Sequence, residues 1–156
     1  MRGYATMIKV LFICHGNICR STMAEFVLKD MVNKRNIAEE FYIQSAATSR
    51  EEIGNDTHYG TKNKLDEVGI PYTKRKARQM TKEDYKEYDY IIGMDDANIR
   101  NILRIAGGDE EGKVSKLLDW ANIDRSIADP WYTGNFDETY GDVVAGLEAF
   151  LEKIVK

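Results

Sequence analysis

A short apolar segment near the start of the chain, Ile8–Cys14 with the sequence IKVLFIC, constrains the fold most strongly. Its apolar and β-branched residues are typical of a strand that is covered on both faces. A polar turn, His15-Gly16-Asn17, follows the segment, and beyond it Met23 and other apolar residues recur at helical spacing. A buried strand that leads directly into a helix predicts a βα unit of a parallel sheet.

The same alternation continues along the rest of the chain. The patterns predict further strands and helices as follows: strands at 41–46, 88–94 and 114–118, and helices at about 56–68, from the Asp95 cap to residue 106, and over 136–154. Thr22 and Glu25 have the spacing of a capping box for the first helix. We therefore expect an α/β fold, a three-layer sandwich in which helices flank both faces of a central, mainly four-stranded parallel sheet.

Composition sets broad limits on the class of protein. The chain has 156 residues, of which 43% are hydrophobic, and a formal net charge of −4. One domain over 1–156 is expected at this length, with residues 1–6 as a disordered tail. No apolar stretch approaches the roughly 18 residues of a membrane helix, and no signal peptide is recognisable. We expect a cytoplasmic monomer with no membrane partner, and the acidic balance argues against a nucleic-acid partner.

Cysteine and histidine are scarce, which limits the metal and disulfide chemistry that the chain can support. Only Cys14 and Cys19 are present, together with two histidines. These are too few for a secreted disulfide framework or for the common zinc patterns. No metal and no cofactor are therefore expected.

The loop after the first strand, CHGNICRS, carries the clearest chemical signal. A loop that turns into a helix N-terminus presents backbone N–H groups to one point, and the helix dipole adds positive potential there. Arg20 adds a planar fork of donors that suits two phosphoryl oxygens. A thiol at Cys14 is expected to be largely thiolate in this field, with a hydrogen bond from Ser21. The pattern alone also fits a small buried cysteine at a strand end.

Two residues give this loop its backbone freedom. Gly16 allows close approach to a ligand, and Asn17 tolerates a left-handed conformation. The Walker sequence G-x-x-x-x-G-K is absent, so no nucleotide is implied.

With the downstream motif Asp129-Pro130-Trp131-Tyr132, the loop resembles the low-molecular-weight protein tyrosine phosphatase family. The resemblance extends over essentially the whole chain from Met7. Its matching pieces are VLFICHGNICRS, residues 45–49 and 77–79, Met94-Asp95 and DPWY. The position of the aspartate downstream of the cysteine also matches this family, whereas other tyrosine phosphatase classes place their acid upstream.

The resemblance implies hydrolysis of phosphotyrosine in proteins or peptides through a cysteinyl phosphate. Cys14 is then the nucleophile, Arg20 binds the equatorial oxygens together with the loop amides, and Asp129 is the general acid and then the base. Ser21 stabilises the thiolate as it leaves. The implied substrate-binding residues are His15, Gly16, Asn17, Ile18, Cys19, Ser21, Trp131 and Tyr132.

Three further implications concern residues around the loop. Asn17 and Ser45 are expected to shape it. Cys19 is expected to form a disulfide with oxidised Cys14, although it also fits plain buried packing. Trp131 and Tyr132 resemble an aromatic wall for a flat ring, but they also fit a core role.

The chain departs from the family pattern at three places. Thr22 stands where many relatives have proline. Arg75 stands where many have histidine, and arginine cannot accept a hydrogen bond, so the loop-shaping bonds are not expected to carry over unchanged. The segment Arg50-Glu51-Glu52-Ile53 replaces an aromatic rim residue, so substrate preference does not carry over.

Four other functions were compared with this one. An arsenate reductase on the same fold would need further cysteines, and none follows Cys19. A protein-arginine phosphatase carries threonine where Ile18 stands, and a bulky apolar residue favours an aryl phosphate. A phosphocarrier of the sugar phosphotransferase system needs no general acid such as Asp129. An inactive phosphotyrosine-binding module would not need every expected catalytic residue, yet all are present.

Overall fold

The computed structural model describes residues 7–155, and its centre is one parallel sheet. The strands are β1 (Ile8–Cys14), β2 (Phe41–Ala47), β3 (Tyr90–Gly93) and β4 (Val114–Lys116), in the order β2-β1-β3-β4. The predicted parallel sheet is confirmed, with β3 and β4 shorter than expected. The tail predicted for residues 1–6 lies outside the described residues.

Helices cover both faces of the sheet, which confirms the predicted three layers. They are α1 (Arg20–Lys34), α2 (Tyr59–Val68), α3 (Lys82–Glu87), α4 (Asp96–Ala106), α5 (Pro130–Thr133) and α6 (Phe136–Ile154). Helices α1, α2 and α6 pack together on one face, and α3 and α4 lie on the other. Among residues 7–155, none of the helices has the length and apolar character that would let it span a membrane.

Alternate side chains of β1 enter different cores, which explains why the strand is apolar throughout. Val10, Phe12 and Cys14 belong to the cluster that includes α1 and α6. Leu11 and Ile13 belong to the cluster on the α3–α4 side. Because side chains alternate along a strand, β1 is buried on both faces and holds the central place in the sheet.

Several element boundaries differ from the prediction. The capping box of Thr22 and Glu25 is wrong, because α1 already begins at Arg20 and the Thr22 hydroxyl donates to the carbonyls of Ile18 and Cys19. Helix α2 begins at Tyr59, where the ring of His58 accepts a hydrogen bond from the backbone of Gly60. Two short helices, α3 and α5, were not predicted. The segment Leu117–Ala121 is a 3-10 helix, so the fourth strand ends before it.

Candidate active site

The loop between β1 and α1 lies at the carboxyl edge of the sheet. Strand β1 pairs with β2 on one side and with β3 on the other, so Cys14 stands beside Ala47 and Ile13 stands beside Gly93. The chain runs from β1 to β2 on one side and then back past β1 to β3 on the other, and such a switch point opens a crevice beyond the strand ends. The predicted position of the site at this edge matches the position of a pocket.

The backbone of the loop curls tightly around the sulfur of Cys14. Asn17 has a φ of 59°, the left-handed conformation predicted for it, and its backbone N–H donates to the Cys14 Sγ at 3.3 Å. Helix α1 begins at Arg20, and the N-cap residue Cys19 makes no capping hydrogen bond with its side chain. The first-turn amides of α1 therefore have no side-chain cap, which suits an anion at this end of the helix.

Arg20 is almost completely buried beside the loop and is held from two sides. Its Nη1 donates to Asp95 Oδ2 at 2.7 Å and to the carbonyl of Ile127 at 2.9 Å, and its Nη2 lies 3.5 Å from Asp129 Oδ2. Burial acts to lower the pKa of the guanidinium, but attraction to Cys14, Asp95 and Asp129 outweighs it and raises the pKa. Arg20 is therefore a fixed positive charge at the base of the site.

Asp129 occupies the N-cap position of α5, a single helical turn. One carboxylate oxygen accepts a hydrogen bond from the backbone of Trp131 at 3.0 Å, while the other faces Arg20. The side chain stays 24% exposed, so it can exchange protons with a ligand or with water. The turn thus brings the predicted acid to the pocket, beside Arg20.

Asp95 also belongs to the site; the sequence predicted it as the cap of α4 and as part of the family match, but not as a partner of Arg20. It does cap that helix, since its Oδ1 accepts from the backbone of Asn98 at 2.7 Å. Its other oxygen holds Arg20. The signal that could have revealed this role is its position, because Asp95 follows β3, the strand beside β1, at the same edge of the sheet.

Most of the predicted residues line one cavity of about 180 Å³, but Asn17 and Ser21, which were predicted to bind substrate, are not among its walls. Its walls include these residues: Cys14, His15, Gly16, Ile18, Cys19, Arg20, Glu51, Glu52, Asp129, Trp131 and Tyr132. The side chains of Trp131 and Tyr132 are 57% and 83% exposed, so the core role considered for them is wrong. The His15 ring pairs with the carboxylate of Glu51 at the rim. The cavity therefore has a cationic base, an aromatic side and an acidic edge.

A buried set of hydrogen bonds lies behind the loop and is centred on Asn17. The Asn17 Nδ2 donates to Ser21 Oγ and to Ser45 Oγ, both at 2.9 Å. Ser21 Oγ lies 3.1 Å from Cys14 Sγ, and Ser45 donates to Glu25 at 2.5 Å. The structure thus places Asn17 and Ser45 together behind the loop, where both are expected to shape it.

Arg75 also takes part in these buried hydrogen bonds, which the sequence did not predict. Its Nη2 donates to the Asn17 Oδ1, which also receives the backbone N–H of Arg78 at 3.3 Å. The expectation that arginine disturbs these bonds is wrong, because the bond at this position requires a donor and arginine is one.

Cys19 occupies a different environment from Cys14, although both are free thiols. It packs with Ile18 and Ala77 in a small apolar cluster. Burial, with smaller contributions from Cys14 and Asp129, raises the pKa of the Cys19 thiol to about 12. Cys19 therefore stays protonated at neutral pH.

Comparisons of sequence agree with this arrangement. The family model for the low molecular weight phosphotyrosine protein phosphatase matches residues 9–156. The chain is 39% identical over 152 residues to YfkJ of Bacillus subtilis, a low molecular weight protein-tyrosine-phosphatase, with 96% of this chain and 97% of YfkJ covered. It is 40% identical over 149 residues to the human low molecular weight phosphotyrosine protein phosphatase, with 92% and 94% covered.

Comparisons of structure lead to the same group of proteins. The crystal structure of YfkJ superposes with a TM-score of 0.93 at 38% identity and covers 97% of each chain. DARP, a Drosophila arginine phosphatase, superposes with a TM-score of 0.87 at 28% identity, covering 96% of this chain and 99% of its own. With the family match extending over nearly all of its length, the chain belongs to the low molecular weight phosphotyrosine protein phosphatase family.

Proposed function

We propose that the chain hydrolyses phosphotyrosine in proteins or peptides, and small aryl phosphates, through a cysteinyl phosphate on Cys14. The observation that carries the proposal is that Cys14, Arg20 and Asp129 line one cavity of about 180 Å³. A nucleophile, a fixed cation and a carboxyl group that line one small cavity are what phosphoryl transfer to a thiolate requires. Membership of the family supports the same reaction.

In the first step the Cys14 thiolate attacks phosphorus, and the bond from phosphorus to the tyrosine oxygen breaks. Protonated Asp129 gives its proton to the departing phenolate, so that tyrosine leaves as the neutral phenol. The guanidinium of Arg20 and the loop amides bind the equatorial oxygens and stabilise their charge. Because Asp95 and the carbonyl of Ile127 hold Arg20 in place, it needs no reorganisation during the reaction.

In the second step a water molecule attacks the phosphocysteine, and the Asp129 carboxylate takes its proton. The sulfur–phosphorus bond breaks, inorganic phosphate forms, and Cys14 leaves as the thiolate. Ser21 Oγ lies 3.1 Å from the sulfur, and the Ser21 hydroxyl donates a hydrogen bond to the sulfur once it is the thiolate. In this proposal the positive charge comes from Arg20 and the N-terminus of α1, and no metal ion or other cofactor takes part.

The walls of the cavity support an aryl phosphate over a guanidinium phosphate. Trp131 and Tyr132 offer exposed rings beside the acid, and Ile18 is a bulky apolar residue on the loop. A phosphotyrosine ring stacks on such rings and contacts the isoleucine. The likeness to DARP makes phosphoarginine the competing substrate, and kinetics must separate the two.

The proposal extends to the setting in which the enzyme works. We propose one domain over 1–156 that acts as a cytoplasmic monomer on tyrosine-phosphorylated proteins, without a membrane or nucleic-acid partner. We also propose that Cys19 is the redox partner that captures oxidised Cys14.

Steady-state kinetics on a phosphotyrosine peptide, an aryl phosphate and phosphoarginine test the proposed function. We expect the phosphotyrosine peptide to be preferred, the Cys14→Ser variant to lose at least about 10⁴-fold in kcat, and EDTA to have no effect. Full activity of Cys14→Ser, or complete loss with the chelator, would refute the mechanism. A wild-type preference for phosphoarginine would refute the substrate assignment.

A further inference from the structure

We propose that Arg75 is the positioning residue that fixes the direction of the hydrogen bonds behind the loop. It does so by holding the Asn17 amide, so that the proton of Ser21 is directed to the sulfur of Cys14. The inference rests on the proposed function of Cys14 as the nucleophile. It gives a role to a cation that does not line the substrate cavity.

Asn17 uses all of its hydrogen-bonding capacity, which makes its orientation decisive. The residue is completely buried. Its Oδ1 accepts from Arg75 Nη2 and from the backbone of Arg78, and its Nδ2 donates to Ser21 and Ser45. An amide has two acceptor sites and two donor hydrogens, so each of the four has a partner.

Only one orientation of this amide is compatible with Arg75. If the amide rotated by half a turn, its NH₂ group would face the guanidinium and the backbone N–H of Arg78, both of which are donors. Arginine has no acceptor, so it cannot adjust to that arrangement. A buried donor without a partner costs about 1–3 kcal/mol, and the rotation would create several. Arg75 therefore sets which side of Asn17 faces the serines.

The orientation of Asn17 in turn sets the direction of both serine hydroxyls. Each serine oxygen accepts a hydrogen from Nδ2, so each hydroxyl proton is free to point elsewhere. Ser45 donates its proton to Glu25 at 2.5 Å. Ser21 has the Cys14 Sγ at 3.1 Å as its other neighbour, so its proton is available to a thiolate there. The hydrogen bond from Ser21 to the thiolate thus depends on Arg75, which contacts Asn17 and not Ser21 itself.

The surroundings of Arg75 fit a positioning role better than a stabilising one. Burial lowers the pKa of its guanidinium, with partial compensation from Glu25, Asp56 and Cys14. Within residues 7–155, its Nη1 is buried and makes no hydrogen bond. A cation that is desolvated and incompletely paired reduces stability, so its presence is better explained by what it does for the loop.

Three variants test the inference by the rate at which iodoacetamide alkylates Cys14, located by mass spectrometry. Arg75→Lys keeps a side chain that only donates. Arg75→Gln offers an amide that can pair with either orientation of the Asn17 amide, so it no longer selects one of them. Lys76→Gln is the matched control, because it removes an exposed cation from the same segment.

We expect the alkylation rate, measured at a pH below the midpoint of its pH profile, to fall roughly fivefold in Arg75→Gln, as the loss of about 1 kcal/mol predicts. The rate should stay within about twofold of wild type in the other two variants. In Arg75→Gln, kcat should fall while KM changes little, because Ser21 acts when the thiolate leaves. Alkylation needs no turnover, so it can succeed even where the proposed phosphatase activity fails.

A double-mutant cycle with Ser21→Ala decides whether Arg75 acts through the serine. If it does, Arg75→Gln has little further effect on alkylation in the Ser21→Ala background, because the hydroxyl that it directs is gone. An equal fall in both backgrounds would show that Arg75 acts directly through its charge and would overturn the inference. Wild-type alkylation in Arg75→Gln would overturn it as well. If Arg75→Gln does not fold, Arg75→Lys provides the test, and a fivefold fall of its alkylation rate would overturn the inference.

Discussion

Two regions of this molecule are equally buried, but one consists of polar side chains and the other of apolar side chains. Behind the loop, Asn17 and Ser21 are completely buried and are held by directional hydrogen bonds. On α6, Val143, Leu147 and Phe150 are also completely buried, but they are held by shape alone. Apolar burial stabilises the fold, whereas buried polar groups add little net stability and instead fix geometry. Substitutions in the first region should therefore affect the reaction, and those in the second the stability.

Among the substitutions that keep the nucleophile, the largest effect is expected for Asp129→Ala. Its kcat on a phosphotyrosine peptide should fall roughly 10²–10⁴-fold, because the phenolate must then leave without a proton. The loss should be smaller for an aryl phosphate with a strongly acidic phenol. Steady-state kinetics measure the effect, and a thermal melt should show a midpoint close to that of wild type. An unchanged kcat on phosphotyrosine would move the acid elsewhere, with Asp95 the next candidate.

The next effect belongs to the apolar region and compares two glycines of α6. A Cβ on Gly146 would lie 2.5 Å from Leu117 Cγ, whereas a Cβ on Gly141 meets nothing within 4 Å. Gly146→Ala should reduce the free energy of unfolding by about 1–3 kcal/mol through overpacking. Gly141→Ala should raise it by about 0.5–1 kcal/mol through helix propensity.

Denaturant unfolding measures both glycine variants, and the kcat of the folded fraction should not change in either. A large loss of kcat in Gly146→Ala at full folding would break the distinction between the two regions.

A smaller effect is expected for Ile18→Thr, which alters the wall of the cavity without touching the charged groups. The change removes apolar contact with the ring and adds a hydroxyl. The ratio of phosphoarginine to phosphotyrosine activity should rise roughly tenfold, the scale of one lost methylene contact. Competition kinetics with both substrates measure it, and an unchanged ratio would show that Ile18 does not determine specificity.

Among the substitutions in the loop, the smallest effect on turnover is expected for Cys19, which has apolar neighbours. Cys19→Ser should keep kcat within about twofold, because the thiol takes no part in the reaction. Wild type should lose activity to peroxide through a Cys14–Cys19 disulfide and recover it with dithiothreitol, whereas Cys19→Ser should recover less. Mass spectrometry detects the crosslinked peptide, and its absence together with full recovery of Cys19→Ser would contradict the prediction.

The formation of that disulfide should depend on pH. With a pKa of about 12, the Cys19 thiol is protonated at neutral pH, and only its thiolate attacks a sulfenic acid. Crosslinking after a peroxide pulse should therefore accelerate as pH rises from 6 to 9. A rate independent of pH would indicate that Cys19 loses its proton by another route.

What the sequence predicts well is what depends on local pattern. The continuous apolar run predicted β1 correctly, and the long amphipathic repeat predicted α6 correctly. Both patterns follow from which side chains are buried. Helix α5 has only four residues, too few for any periodicity to show. The capping box at Thr22 failed because the tight turn at Asn17 brings the chain into the helix earlier than the pattern suggests.

The residues of the site could be predicted from the sequence, but their hydrogen-bond partners could not. The loop sequence identifies Cys14 and Arg20, because their chemistry follows from residue type and spacing. It does not show that the guanidinium of Arg75 meets the oxygen of Asn17, because that requires knowing how a distant segment lies against the loop. The same holds for Asp95, which reaches Arg20 across 75 positions of sequence.

The supports of Arg20 also bear on how the protein is made. Two of the groups that contact it come from Ile127 and Asp129, 107 and 109 positions further along the chain. During synthesis from the N-terminus, the thiol emerges long before its cation can be fixed or its acid supplied. A nascent or truncated chain that ends before residue 127 would thus carry the complete loop sequence without a working catalyst. Catalytic competence should appear only after the last strand has joined the sheet and the final segment has docked.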